Sequence, residues 1–428
     1  GDQRAGGLSK NRHRSRHCRR AVLDLPFGYR RIGPVCGRGQ GPIDPMKRLR
    51  RGLWLLAATL LVVVVFQAFV GGVYPVGSSS MAPTLRPGDH VLVLYDTSVP
   101  ERGEVVVVQG VDPDPLVKRV VALPNEELAI TSDGDLLVDR AYLPLDPRAL
   151  PQVLILDTDR TGFDPHFSWP GAEGGADSME VVLDGQAEDP RDPEAVLVLK
   201  NGVHDGYLEA SGQVRFGQCA VGDARVSVHL NFLGKQGRAV LRLSDQGDIF
   251  EVELDWQGGS PSAGSLRRVT IKGDQQEFHE SEAFEWAMPE GALCLTLANF
   301  DNRVALLIDS QQVAHFEYSK TSRQQVDAGA PRFSIGVSGA PLRVGRLRIW
   351  RDLHYTSRGR FAVDHAVRLE PDELFLLGDN SDHSTDSREY GSVKIERMIG
   401  RAAWIVWPPS RFGRVSGPGE GLGDGCQH

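Results

Sequence analysis

Cysteine is scarce in this sequence and shows no pattern. Five occur in 428 residues, Cys18, Cys36, Cys219, Cys294 and Cys426, and none stands in a C-x-x-C spacing. Zinc-ribbon and dithiol redox chemistry are therefore excluded as organising features, and no cofactor or metal is expected. Cys219 and Cys294 fall in one region. They could pair in an oxidising compartment, or sit as two buried free thiols. Aromatic residues are few, at 7%, and there is no exact internal repeat. Basic residues exceed acidic ones only at the start. The first 51 positions carry 14 Lys/Arg against 3 Asp/Glu, and the rest carry 34 against 53. An acidic body argues against a nucleic-acid partner. A basic head on an acidic body fits a chain with its two portions on opposite sides of a membrane.

Long apolar runs are also missing, with one exception. Gly52–Val73 carries no charge and a single Gln over a length suited to a bilayer core. Lys47, Arg48, Arg50 and Arg51 precede it, so its N-terminal side is expected to be cytoplasmic and the body extracytoplasmic. A cleaved signal peptide fits less well, because the run is long for an apolar signal core. Residues 1–45 are Arg-, Gly- and Pro-rich without period, and the first methionine is Met46. They are expected to be disordered, or to lie upstream of the true start.

Chemistry-bearing residues begin just after the apolar run. The stretch V-G-S-S-S-M-A-P-T-L-R-P-G-D from Val76 to Asp89 places Ser80 at the end of a Gly/Ser run. Pro83 and Pro87 stiffen the residues beyond it, so the serine is expected on a fixed loop. By itself this is equally an ordinary Ser-rich turn, since a serine needs a base to act as a nucleophile. Short strands are expected at Asp89–Leu94, Val105–Val108 and Leu116–Pro124, with a hairpin from Leu128–Ile130 to Leu136–Val138. Lys118 falls on the strand face of Leu116 and Val120, opposite Val117, Arg119 and Val121. A lysine there either snorkels to solvent or is desolvated and can become a neutral base.

From about Val153 the character changes. Alternating runs recur at Val226–Leu230, Ala239–Leu243, Ile249–Leu254, Leu293–Leu297, Val304–Ile308, Ala314–Tyr318, Phe333–Val337 and Leu347–Trp350, separated by Asp/Gly/Asn/Ser turns. This predicts an all-β sandwich. Trp169, Trp256, Trp286 and Trp350 are expected in its core, the alternative being stacking on sugars. After it comes a dense polar loop, G-D-N-S-D-H-S-T-D-S-R, over Gly378–Arg388. The apolar strand Met398–Trp407 comes next, and a Gly-rich tail is expected to be disordered.

The boxes at Ser80–Asp89, Arg102–Val107, Lys118–Pro124 and Gly378–Arg388, in that order behind an apolar span, resemble the bacterial type I signal peptidases. These are membrane-anchored serine proteases. The resemblance covers roughly residues 47–145 and 355–410 and does not account for the sandwich. It implies a mostly β chain: a β-rich catalytic domain behind one transmembrane helix, with an inserted sandwich. Leu347–Tyr355 resembles the closing strand of concanavalin-like or laminin-G-like sandwiches. The expected order is a basic N-terminal stretch at 1–45, a basic flank and span at 46–75, a first catalytic segment at 76–152, the insert at 153–354, a second catalytic segment at 355–412 and the tail at 413–428.

By this resemblance Ser80 is the nucleophile and Lys118 its general base. Ser78 and the Ser80 N–H hold the oxyanion. Ser384 orients the lysine, with Asp386 and Arg388 in support. Tyr74, Val76, Val91 and Val117 form small apolar pockets that match an A-x-A cleavage rule. The implied partners are signal-peptide-bearing pre-proteins and the phospholipid membrane, with an unidentified ligand of the sandwich open. The location implied is the cytoplasmic membrane, single-pass. Three positions depart from the family pattern: Ser381 and His383 in the polar loop, and Ala122. Ser381 is expected to weaken an ionic contact there, while His383 adds a titratable group beside Ser384. Two other readings compete: a membrane-anchored glycan- or protein-binding protein on a vestigial scaffold, and a self-cleaving Ser–Lys repressor-type protease.

Overall fold

The computed structural model describes residues 45–110, 114–131, 134–142, 152–163, 165–169, 180–191, 196–204, 206–209, 211–215, 221–245, 247–258, 261–272, 275–300, 302–319 and 333–415. The expectations for residues 1–44, for Cys219 and for the tail beyond residue 415 fall outside them.

The basic flank and apolar run form a 25-residue helix, α1 (Pro45–Phe69). Its side chains at 62–68 are not among those described, and among the described residues no helix is long and apolar enough to cross a membrane. The expected span also reached too far. Gly71–Pro75 is a strand, β1, paired antiparallel with β2 (His90–Leu94) from Gly71↔Leu94 to Pro75↔His90. The glycines explain this. Gly is a poor helix former, and a Cβ at Gly71 would collide with the Val93 carbonyl of the partner strand.

An eight-stranded antiparallel sheet succeeds the helix. Its order is β1, β2, Met398–Trp407, β3 (Val105–Gln109), β4 (Pro115–Ala122), Glu373–Leu377 and Val393–Lys394. Gly413–Arg414 pairs with Trp404 and Ile405, and Val415 is buried beside them. The start of the expected disordered tail is therefore ordered, because Val415 has an apolar cluster to fill. Both faces of the sheet are covered. One packs Val76, Met81, Leu85, Val91, Val93 and Val105 together, the other Val106, Val108, Val120, Leu374 and Leu376. A small four-stranded sheet, built around Glu127–Ile130 and Leu136–Val138, lies beside it in sequence.

Between the two halves of the large sheet run two further seven-stranded antiparallel sheets. One is centred on Leu342–Arg351, Ala224–Phe232 and Leu293–Phe300. The other is centred on Asp248–Gln257, Gln236–Asp245 and Phe333–Ser338. Their inward residues form one apolar cluster, which also takes in Val121, Leu128, Phe375 and Leu377 of the flanking sheets. The first strand of this region, Val153–Asp157, pairs with the last, with Val153 opposite Arg351.

Trp256, Trp286 and Trp350 are buried, and Trp169 packs against the core. Phe232 stacks on Trp256 and Trp286 at 4.7 and 5.3 Å. Arg225 and Arg348 lie over the Trp350 ring. Their rings are thus taken up by packing, in keeping with a core role. Cys294 is disulfide-bonded; the other four cysteines lie outside the described residues.

Candidate functional site

The serine loop is rigid because most of its polar atoms are used internally. Ala82 N–H donates to Ser79 O (3.0 Å), Leu85 N–H to Met81 O (2.9 Å) and Gly88 N–H to Val76 O (2.9 Å). Met81 and Leu85 are buried pegs beneath it. Asp89 accepts from the Arg86 N–H at 2.8 Å and from Arg411 Nε at 2.9 Å, which ties the loop end to the C-terminal region of the chain. Asn380 completes the hold from the polar loop. Its N–H donates to Ser80 O (3.0 Å) and its Nδ2 to Ser79 O (3.1 Å). With these carbonyls bound on one side, Ser80 is presented on the other.

Lys118 lies inside β4 opposite Val106 of β3 and is only 3% exposed. Its Nζ is 3.0 Å from Ser80 Oγ and 3.0 Å from Ser384 Oγ, and Ser78 Oγ is 3.1 Å from Ser80 Oγ. Burial pushes the Lys118 amine down to about 8, against the pull of Asp386 and Asp379, which favour the charged form. The structure thus brings Ser78, Ser80, Lys118 and Ser384 together, although Ser384 is 266 positions from Lys118 in sequence.

The polar loop that carries Ser384 is not irregular throughout. Ser381–His383 is a 3-10 turn, and Ser387–Tyr390 is a short helix capped by Asp386, whose carboxylate accepts the Arg388 N–H. Arg388 Nε and Nη2 grip Asp386 at 2.9 and 2.8 Å, with both side chains buried. Ser381 contacts Arg388 of this pair. Its Oγ accepts from Arg388 Nη1 at 2.6 Å and from the Thr356 N–H at 2.8 Å. His383 is exposed.

Two residues that sequence reasoning passed over carry the junction. Arg119 and Asp379 form a bidentate pair, Nε–Oδ1 2.7 Å and Nη2–Oδ2 2.6 Å, with neither side chain exposed. Burial opposes the Arg119 charge, but Asp379 more than offsets it and holds the guanidinium above its ordinary value. Both residues sat inside recognised boxes, but only their proximity reveals the pairing. Gly378 is a further one. A Cβ there would collide with Ser384 Oγ and Ser80 O. Gly378→Ala should lower the thermal midpoint, because the Ser80 carbonyl is backbone and must shift to admit the methyl group. It should lower turnover by about a hundredfold, the scale expected when reacting groups shift by an ångström; kcat beside a melting curve checks it.

Tyr74, Val76, Val91 and Val117 share a single apolar cluster with Met81 and Leu85 beneath the serine loop. One edge stays open beside them. The strand Glu373–Leu377 pairs with β4 only from Ala122 to Arg119, so residues 115–118 carry no partner on that side among the described residues.

Comparison with known proteins gives a peptidase family model first. The family model described as "Signal peptidase, peptidase S26" matches residues 49–154 and 304–407. Those two segments are similar to that family, and the resemblance to type I signal peptidases holds. The chain is 40% identical over 60 residues to signal peptidase I of Mycobacterium tuberculosis, covering 11% of this chain and 20% of that protein. It is 34% identical over 104 residues to signal peptidase I of Bacillus caldolyticus, covering 23% of this chain and 56% of that protein. The chain thus spans between a fifth and just over half of these relatives. Among solved structures, Caenorhabditis elegans galectin LEC-6 matches at 10% identity, over 40% of this chain and 95% of that one, with a TM-score of 0.24. A score that low carries no argument about the sandwich.

Proposed function

We propose that this protein is a membrane-anchored serine endopeptidase that removes signal peptides from secreted pre-proteins after an A-x-A-like site. The observation that carries the reading is the placement of Lys118 Nζ at 3.0 Å from both Ser80 Oγ and Ser384 Oγ in a buried setting. In its neutral form the amine donates one N–H to Ser384 Oγ and keeps its lone pair for the Ser80 proton. Ser80 Oγ then attacks the scissile carbonyl. The proton taken by Lys118 passes to the leaving amine, and water repeats the cycle on the acyl-enzyme. The Ser80 N–H and the Ser78 hydroxyl face the developing oxyanion. Asp386 and Arg388 support Ser384 by fixing its loop.

The open β4 edge suits a substrate in extended form, adding as a strand beside Lys118. Tyr74 and Val117, which keep some surface above the buried Val76 and Val91, are the walls proposed to favour alanine over larger side chains. The basic flank and apolar run of α1 support an anchor with the N-terminus cytoplasmic. The Cys294 disulfide supports an oxidising location for the body. Burial of the sandwich tryptophans removes the main support for a glycan-binding protein on a vestigial scaffold.

Detergent-solubilised protein should cleave a pre-protein carrying an A-x-A signal peptide. Because the amine must be neutral, log kcat should rise with unit slope at low pH and level off near about pH 8. Absence of cleavage by folded protein would sink the reading. A profile flat from about pH 6 to about pH 9 would remove Lys118 as the base.

A further inference from the structure

Arg86 lies in the loop between Ser80 and β2, and its side chain reaches the inserted region. The guanidinium carbon sits 5.0 Å from the centroid of the Tyr207 ring. Tyr207 opens a hairpin, Tyr207–Leu208 paired with Val214–Arg215, that belongs to neither sheet of the sandwich. The hairpin is fastened from behind. Buried Arg351, at the end of the last sandwich strand, donates from Nε to Gly206 O at 2.9 Å. Arg160 Nη2 donates to Glu209 O at 2.7 Å. Tyr207 also packs against the sandwich core.

The charges around Arg86 explain why this contact is needed. Burial disfavours the Arg86 charge and Arg411, which holds Asp89, adds to that; Glu209 and Asp89 act in the opposite sense, and the Tyr207 ring face adds a cation–π contact. Asp89 is held by Arg411 and Glu209 by Arg215 at 2.7 Å, so the ring face of Tyr207 is the inserted hairpin's direct contact with Arg86. The backbone of Arg86 in turn closes the loop that carries Ser80, through its N–H to Asp89.

We infer that the Tyr207 hairpin is a positioning strut for the nucleophile loop: the sandwich holds Arg86, and through it the turn that sets Ser80 against Lys118. Tyr207 touches no reacting atom and acts through Arg86. The inference rests on the peptidase reading above.

The test is steady-state cleavage of an A-x-A pre-protein by the full chain in detergent. Wild type is compared with Tyr207→Ala, Tyr207→Phe, Arg86→Ala and the Tyr207→Ala/Arg86→Ala double variant. Amide hydrogen exchange of residues 80–89 is measured on the same samples. Tyr207→Ala should lower kcat roughly three- to tenfold with KM unchanged, and should speed exchange in the loop. Tyr207→Phe keeps the ring face and should match wild type. The double variant should be no slower than the slower single variant.

A wild type that does not cleave would count against the peptidase reading, and the exchange data would then decide the strut alone. Cleavage by wild type with unchanged kcat in Tyr207→Ala, or additive losses in the double variant, would overturn the strut. So would Tyr207→Phe as slow as Tyr207→Ala, or unchanged loop exchange.

Discussion

A Lys118→Arg variant should cleave roughly 10²- to 10⁴-fold more slowly than wild type while staying folded, the loss expected when a general base is removed. The substitution keeps the positive charge but takes away the ability to become neutral, since a guanidinium is not deprotonated in water. The site also has no room for the change. Lys118 is buried, and its amine fits between two hydroxyls at 3.0 Å each. Ser80→Ala should be at least as severe, because it removes the hydroxyl that the amine serves. Single-turnover rates on one pre-protein, with circular dichroism as a folding control, check both. Substantial turnover by Lys118→Arg would show that the proton goes elsewhere.

The second large effect falls on stability. Asp379→Ala should destabilise the protein by about 3–5 kcal/mol, the cost of leaving a buried guanidinium without its carboxylate. Arg119 retains neutral acceptors such as Gly103 O and the Thr84 hydroxyl, and these carry no charge to offset a fully buried cation. Asp379→Asn keeps the shape and an acceptor oxygen, and should cost less. Denaturant midpoints at constant slope measure the difference. Replacing both residues by apolar ones of similar volume should recover much of the loss, since the penalty is the unpaired charge. If Asp379→Ala unfolds at the wild-type midpoint, the pair contributes little.

The site was largely readable in the sequence. The boxes hold adjacent residues with fixed local chemistry, so Ser80, Lys118 and Ser384 could be singled out before any geometry. The alternation around Lys118 also held, with Leu116 and Val120 in one cluster and Val117 in another. Arg119 and Asp379 were not readable as a pair, because a contact across 260 positions leaves no local trace. The strands with regular apolar alternation were found. Ser262–Lys272 and Gln275–Trp286 were missed. The second reads Q-Q-E-F-H-E-S-E-A-F-E-W, with much of its length exposed, so it lacks the apolar period that marks a half-buried strand. The apolar run misled at its end, where Gly71 and Gly72 break the helix in favour of a tight strand pair.

The pairing of Val153 with Arg351 has a consequence for assembly. Ser80 and Lys118 are made before the sandwich and Ser384 after it, so the proposed site stays incomplete in a nascent chain until its final segment arrives. A flexible excursion of that length would impose a loop-closure penalty on joining the halves. A folded sandwich whose first and last strands are neighbours turns the excursion into a short stem and delivers Thr356 and Gly378 close to where β4 left off. On the proposed peptidase reading, activity would then await completion of the sandwich, and misfolding of the sandwich would silence it.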